Sequence, residues 1–313
     1  MLDFFKRKLD KNAVVAICPT HDTIPCVRIK RFKDQPPVLD LCKFQRLDNM
    51  GIQGAEIARL TRADRLGDQI CVTTLTIGSY SLLLVEAPDV PATELRAAIR
   101  WRVKDLIDFH IDDAVIDVFD VPNQRVTGSN KMMYAVVTKS STVRQQVELL
   151  TAAGLNLEVI DIPELALRNI AALLPEDVAG VVMLYLDSGS GLITITRQQT
   201  LYLSRRIDMG YETLGNDMDS AAARLDRIVV EIQRSMDYYE SHFSQPPVTN
   251  AVIAPLPEPI SGIDEYLARQ LGISVRQLDL NSLIDTETPL DPATQSRCML
   301  AIGAALREES KEL

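Results

Sequence analysis

The stretch of this chain best suited to chemistry is an aspartate followed by a glycine-rich bend between two apolar strands. Val181–Leu186 runs into Asp187-Ser188-Gly189-Ser190-Gly191, and a second alternating strand follows at Leu192–Arg197. Glycines in such a bend let backbone N–H groups come close to an anion, and the carboxylate can hold a metal ion through water. Asp187, Gly189 and Gly191 are therefore candidate phosphate-binding residues, with Asp187 also the candidate metal ligand. Taken alone, the segment is more simply a tight hairpin, because Asp-Ser-Gly and Ser-Gly are ordinary turn formers. Other constellations are weaker. His21, His110 and His242 lie in unrelated settings, and neither an HExxH nor a GxSxG pattern occurs around any of the histidines or around Ser188 and Ser190.

Composition narrows the setting in which such a site would work. The chain has 313 residues, 46% hydrophobic and 24% charged, enough for two domains that each bury a core. A net charge of −10 disfavours nucleic-acid binding, which depends on a basic surface. The five cysteines are odd in number, scattered and without a CxxC pair, which fits a reducing cytoplasm and not a disulfide framework or structural zinc site. No apolar run is long enough for a membrane span, and the start, MLDFFKRKLDKN, lacks the apolar region of a signal peptide. Residues 1–12 read as an N-terminal arm.

Periodicity divides the rest into two halves, 13–177 and 178–313, with Pro175-Glu176-Asp177 as a linker. The first half has strands at Ala13–Cys18, Ile24–Arg31 and Pro37–Phe44, a helix near Gly51–Arg65, a strand at Met132–Thr138, a helix from Thr142, a strand at Leu157–Ile162 and a helix opened by Pro163. The second repeats the succession, with strands at Val181–Asp187, Leu192–Arg197 and Leu201–Ile207, helix material from Glu212 to His242, and alternating strands and helices to Arg307. Three neighbouring strands followed by βαβα units imply a mixed sheet covered by helices. An insertion of about 68–130 interrupts the first half, opening with an expected hairpin of Cys71–Ile77 and Tyr80–Val85. It also holds a helix whose buried face is Leu95, Ile99, Val103 and Leu106, with Arg96, Arg100, Arg102 and Lys104 between them around the single tryptophan, Trp101. A solvated basic face accounts for these cations. Trp and Arg are also the residues most enriched at binding hot spots, which makes Trp101, Arg100 and Arg102 the candidate partner-binding residues.

Several segments together resemble the PilM family of actin-like proteins: PDVPATELRAAIRWRVKDLIDFHIDDAVIDVFDV, AAGLNLEVIDIPELAL, LDSGSGLITITRQQTLYLSRRIDMG and EIQRSMDYYES, spread over residues 13–307. The resemblance implies an α/β, actin-like (FtsA/PilM-type) duplicated RNase H-like fold with a small subdomain inserted in the first half. It also implies a cytoplasmic protein at the base of a type IV pilus machine, peripheral on the inner membrane through its partner. That partner would be the N-terminal cytoplasmic tail of a PilN-like inner-membrane protein, held between the first domain and its insertion. Pilus platform and motor proteins would be further partners. ATP with Mg²⁺ is the cofactor the family implies. By the same resemblance Gly210 closes the second phosphate hairpin, while Glu231 and Arg234 would lie beside the adenosine. As sequence alone, Glu231 and Arg234 are equally well exposed helix charges.

The chain departs from that pattern where nucleotide chemistry would need it most. In VVAICPTHDTIPCVRI, Cys18 and Thr20 stand where the family places an Asp and a Gly, and Pro19 removes a donor. Leu192 and Ile193 replace hydroxyl residues, and the late turn Pro255-Leu256-Pro257-Glu258-Pro259 has no Gly-Gly. Charge-assisted hydrogen bonds to phosphate contribute roughly 1.5–3 kcal/mol each, so losing several weakens binding by orders of magnitude. The expectation is a docking scaffold with a degenerate cleft and no catalytic residues. Weak ATP binding with slow hydrolysis is the alternative.

Overall fold

A computed structural model describes residues 10–33, 35–122, 131–215, 218–243 and 245–308. The expected arm, residues 1–12, lies almost wholly outside the described residues, since the first strand already starts at Asp10. The chain forms two compact units. Leu75–Leu149 make one, and the segments before and after it, through Arg307, make the other.

In the larger unit the elements run β1 (Asp10–Ile17), β2 (Thr23–Lys30), β3 (Val38–Arg46), α1 (Gln53–Ala63) and β4 (Gln69–Thr74). The smaller unit contributes β5 (Tyr80–Glu86), α2 (Ala92–Val103), β6 (Ala114–Asp120) and β7 (Met132–Lys139), and α3 (Ser140–Ala152) leads out of it. The larger unit resumes with β8 (Asn156–Asp161), α4 (Pro163–Ala171), β9 (Val181–Leu186), β10 (Gly191–Arg197), β11 (Thr200–Ile207), α5 (Tyr211–Leu214) and α6 (Met218–Phe243). It ends with β12 (Asn250–Ile253), α7 (Ile263–Leu271), β13 (Ser274–Gln277), β14 (Asp285–Thr286) and α8 (Pro292–Ala305).

The two large sheets have orders β14-β3-β2-β1-β4-β8 and β11-β10-β9-β12-β13. Without the short β14 they are the same sheet twice. In each the first three strands are antiparallel neighbours and the last two join in parallel. Duplication is thus a matter of topology as well as of succession. Every residue of Val181–Leu186 is buried, as suits a strand covered on both faces.

The fourth core strand of the first repeat is Gln69–Thr74, not Met132–Thr138 as expected, and the inserted unit begins later and ends later than 68–130. The two apolar segments are alike in composition, and Met132–Lys139 runs directly into α3, so chain order alone favoured the wrong one. Nor do Gln69–Thr74 and Tyr80–Glu86 form a hairpin. The first pairs with β1 and β8 and the second with β7, and the turn closed by the Ser79 N–H on the Thr76 carbonyl (2.9 Å) passes the chain from one sheet to the other. The helical stretch after Glu212 is two helices, broken at Gly215 in a left-handed conformation.

The last helix of each repeat serves the other repeat's sheet. α4 lies on β9, β10 and β11, and α8 lies on β1, β2, β3 and β4. They meet at Gly303, where an added Cβ would stand 2.2 Å from the Ala166 carbonyl oxygen. α8 is fixed at both ends. Asp291 caps its start by accepting the Thr294 N–H at 3.1 Å, Arg31 donates to the Leu306 carbonyl at 2.6 Å, and Arg307 pairs with the buried Asp161 at 2.8 Å. The presumed linker is also fastened. Glu176 pairs with Arg276, and buried Asp177 accepts the N–H groups of Gln198 and Gln199, whose positive φ values form the β10–β11 turn.

The smaller unit is a three-stranded antiparallel sheet, β5-β7-β6, with α2 on one face. Fully buried Ile99 and Val103 pack there with Val85, Val118, Met133, Ala135 and Val137.

Candidate functional site

Two strand turns define the site. In the second, the Asp187 N–H donates to the Ser190 carbonyl and the Asp187 carboxylate accepts the Ser188 N–H, both at 2.8 Å. The carbonyls of Asp187 and Ser188 turn toward the start of α5. There the Tyr211 and Glu212 N–H groups donate to them at 2.9 and 3.2 Å. Gly210 permits this approach, since a Cβ would lie 2.2–2.3 Å from those same carbonyl oxygens. Gly191 is required for a similar reason, a Cβ there falling 2.7 Å from the Leu186 side chain and 2.8 Å from the Tyr185 carbonyl. Gly189 faces open space. Gly191 and Gly210 are therefore demanded by the protein's own backbone.

The first turn is built from Cys18, Pro19, Thr20, His21 and Asp22. Thr20 accepts the Thr23 N–H at 3.0 Å and donates to the Asp22 carboxylate at 2.8 Å, while Gln53 from α1 donates to the Thr20 carbonyl at 3.0 Å. Asp22 is also gripped by Arg297 of α8 at 3.1 Å, whose guanidinium lies 5.4 Å above the Phe44 ring and is largely buried. Burial pushes the Asp22 pKa up, but hydrogen bonds from Thr20 and Arg297 outweigh it, and the carboxyl ends below its ordinary value. Cys18 behaves oppositely. Burial raises its thiol to about 11, only partly offset by contacts with Thr74, so it is neutral at pH 7.

The two turns share one electrostatic field. Burial raises the pKa of Asp187 above the ordinary carboxylate value, the Ser188 N–H opposes this, and the Asp22 charge pushes it further up while His21 and Arg297 pull it down. Tyr211 feels the same three charges of Asp22, Asp187 and Arg297. The structure thus brings Asp187, Gly189, Gly191 and Gly210 together opposite Asp22 and adds Arg297 and Tyr211, which nothing in the local sequence singled out. Arg297 lies 275 residues from Asp22, and only the fold connects them.

Glu231 and Arg234 stand in a bonded set on α6. Glu231 accepts from Arg205 of β11 at 3.1 Å and from Arg234 at 2.8 Å, and Arg205 donates onward to Ser235 at 2.9 Å. Their evident work is to fasten α6 to the edge strand. In the late turn the prolines stand as the sequence has them, with Gly262 left-handed at the start of α7.

A magnesium–nucleotide needs anionic oxygen donors at a hard cation. Here one turn offers a neutral thiol and an aspartate already neutralised by Arg297, which leaves Asp187 alone. Among the described residues no group of three or more metal-ligating side chains occurs.

In the smaller unit the expected partner-binding residues separate into two kinds. Arg100 donates to the carbonyls of Ile111 and Ala114, Arg102 pairs with Glu86 at 2.7 Å, and Arg96 pairs with Asp117 at 3.3 Å. Trp101 is 77% exposed, with Lys104 5.9 Å from its ring centroid. The arginines are engaged within the unit, and the indole faces outward. Among the described residues no helix is long and apolar enough to cross a membrane.

No protein-family model and no curated protein matches the sequence. Solved structures do match. A chain of the PilM–PilN type IV pilus biogenesis complex aligns over 94% of this chain and 97% of its own length, with a TM-score of 0.72 at 17% identity. The cytoplasmic domain of EpsL, an inner membrane component of the type II secretion system of Vibrio cholerae, aligns over 95% and 96%, with a TM-score of 0.51 at 10% identity. The fold is a duplicated actin-like fold of the PilM kind.

Proposed function

We propose that this chain is a scaffold in a type IV pilus assembly platform, a cytoplasmic adaptor that receives the N-terminal tail of a PilN-like inner-membrane protein. Within that class we assign it to MSHA pilus biogenesis, as the MshI component. It would reach the membrane through its partner. The observation that carries this is the full-length likeness to a chain of the PilM–PilN complex, supported by outward-facing Trp101. The cleft supports a non-enzymatic role. Cys18 is a neutral thiol, and Arg297 already supplies the positive charge at Asp22.

Titration calorimetry with a synthetic PilN-like tail tests the adaptor role directly. Wild type should bind, and Trp101→Ala should lose about tenfold or more while remaining folded. Undiminished binding by the variant removes Trp101 from the interface, and no binding by wild type to any such tail refutes the adaptor. A second reading, weak ATP binding with slow hydrolysis, draws on the intact geometry of Asp187, Gly191 and Gly210. Millimolar Mg-ATP distinguishes the two. A scaffold's unfolding midpoint stays unchanged, whereas a rise that disappears in Asp187→Ala establishes nucleotide binding.

A further inference from the structure

At one edge the two large sheets agree residue by residue. Lys30 pairs with Val38, Ile29 with Leu39 and Arg28 with Leu41, which leaves Asp40 as the extra residue of a bulge. Arg197 pairs with Thr200, Thr196 with Leu201 and Ile195 with Leu203, which leaves Tyr202 as the extra residue. β3 and β11 are therefore equivalent strands, down to the position of the bulge. They are finished differently. β14 runs parallel to β3, with Asp285 beside Val38 and Thr286 beside Leu39, and covers the start of that edge. It comes from the stretch between β13 and α8. The equivalent stretch of the first repeat, between β8 and α4, is Ile162 alone, too short to form a strand. Among the described residues no strand pairs with the outer side of β11, and the equivalent place in the chain cannot supply one.

We propose that the outer edge of β11 takes up an extended acidic segment of a partner protein as a sixth, parallel strand. An open edge offers a row of backbone N–H and C=O groups to such a strand. The parallel direction follows from β14 at the equivalent edge. The acidic chemistry follows from the side chains that border the edge. Arg205 and Arg206 stand on β11 itself, and the bonds of Arg205 to Glu231 and Ser235 bring α6 alongside. The Arg234 side chain is 64% exposed, and exposed Arg227 lies one turn before Glu231 on the same side of α6, with exposed Val230 between the two arginines. Glu231 answers part of this charge at Arg205 and Arg234, and Asp208 does so at Arg206 over 3.7 Å. Asp226 is engaged on α7, where it accepts from the Tyr266 hydroxyl. Four arginines against those two carboxylates leave the border basic on a molecule whose net charge is −10. A second copy docking by the same edge would set two arginine rows side by side, a like-charge contact, so the incoming strand is foreign as well as acidic.

Carboxylates at alternate positions of the incoming strand would all point to one face, the α6 side, where Arg205, Arg227 and Arg234 stand. This edge belongs to the second large sheet, and Trp101 belongs to the smaller unit. The strand would therefore be a second partner, bound independently of the tail proposed above.

The test is a labelled, acetylated peptide of alternating glutamate and valine, about nine residues long to match the edge, titrated with the full-length protein and read by fluorescence anisotropy. Amide hydrogen exchange is followed in parallel. Wild type should bind, exchange should slow within Thr200–Ile207, and high salt should weaken binding about tenfold or more. Arg227→Glu and Arg234→Glu should each weaken it about tenfold, whereas Arg269→Glu, the same charge change on α7, should alter it about twofold at most. N-methylation at every second peptide residue should abolish binding in one phase and spare it in the other, because only one phase points its N–H groups at β11. No binding, equal binding of a lysine–valine peptide, equal loss in both methylated phases or in neither, or slowed exchange in a strand other than β11 would each overturn the proposal. So would a protein already dimeric through this edge. The peptide series on wild type decides even if an arginine variant fails to fold.

Discussion

One methyl group separates two glycines of the cleft. Gly189→Ala adds it to open space at an ordinary φ and should change stability by no more than about 0.5 kcal/mol. Gly210→Ala drives it into two carbonyl oxygens and should cost about 3 kcal/mol in urea unfolding, because backbone on both sides must move. The two aspartates differ in the sign of their pH response. Asp187 has a raised folded pKa, so its contribution is complete below the unfolded value of 3.8 and is lost as pH rises through the folded value. Asp22 has a lowered one, so its contribution is present above 3.8 and is lost as pH falls through the folded value. Stability measured against pH should therefore fall less on the rising side in Asp187→Asn than in wild type. Arg297→Met should cost on the order of 2 kcal/mol near neutrality, since it leaves Asp22 half-buried without its cation, and that cost should shrink in acid as Asp22 protonates.

At the scale of elements, the close crossing of α4 and α8 carries the sharpest prediction. Gly303→Val places side-chain carbon on the Ala166 carbonyl and should lower stability by about 3 kcal/mol or more, read from the denaturation midpoint at unchanged slope. This crossing also marks where sequence stops informing. Strand succession and the second hairpin were legible because they are local: alternation, a buried apolar run and turn residues announce them within a few positions. The exchange of terminal helices was not, since a helix with buried Cys298, Met299 and Ile302 looks the same whichever sheet it covers. The identity of the fourth strand failed for a related reason, as Gln69–Thr74 and Met132–Lys139 offer similar apolar strands and only pairing tells them apart. The turn that carries Asp187 and its glycines could be read directly as a turn. Arg297 could not, because an arginine amid a helix carries no mark of the aspartate it will meet.

At the scale of the whole molecule, a net charge of −10 and an indole left in solvent give different expectations for different partners. Trp101→Ala should leave the unfolding midpoint unchanged, because an exposed ring contributes little to the native state, and its effect should show only in binding. The helix exchange reaches further still, into how the protein is made. A ribosome delivers the first sheet's strands early, yet the helix that covers them is α8, which emerges only after every strand of the second sheet. Until then the face of this sheet that α8 covers has no lid, so the usual course, in which an N-terminal half folds while the remainder is being synthesised, is closed to this chain. Nascent chains halted before Pro292 should bind holdase chaperones and remain protease-sensitive in the strands of the first large sheet, and both properties should vanish together once α8 is released.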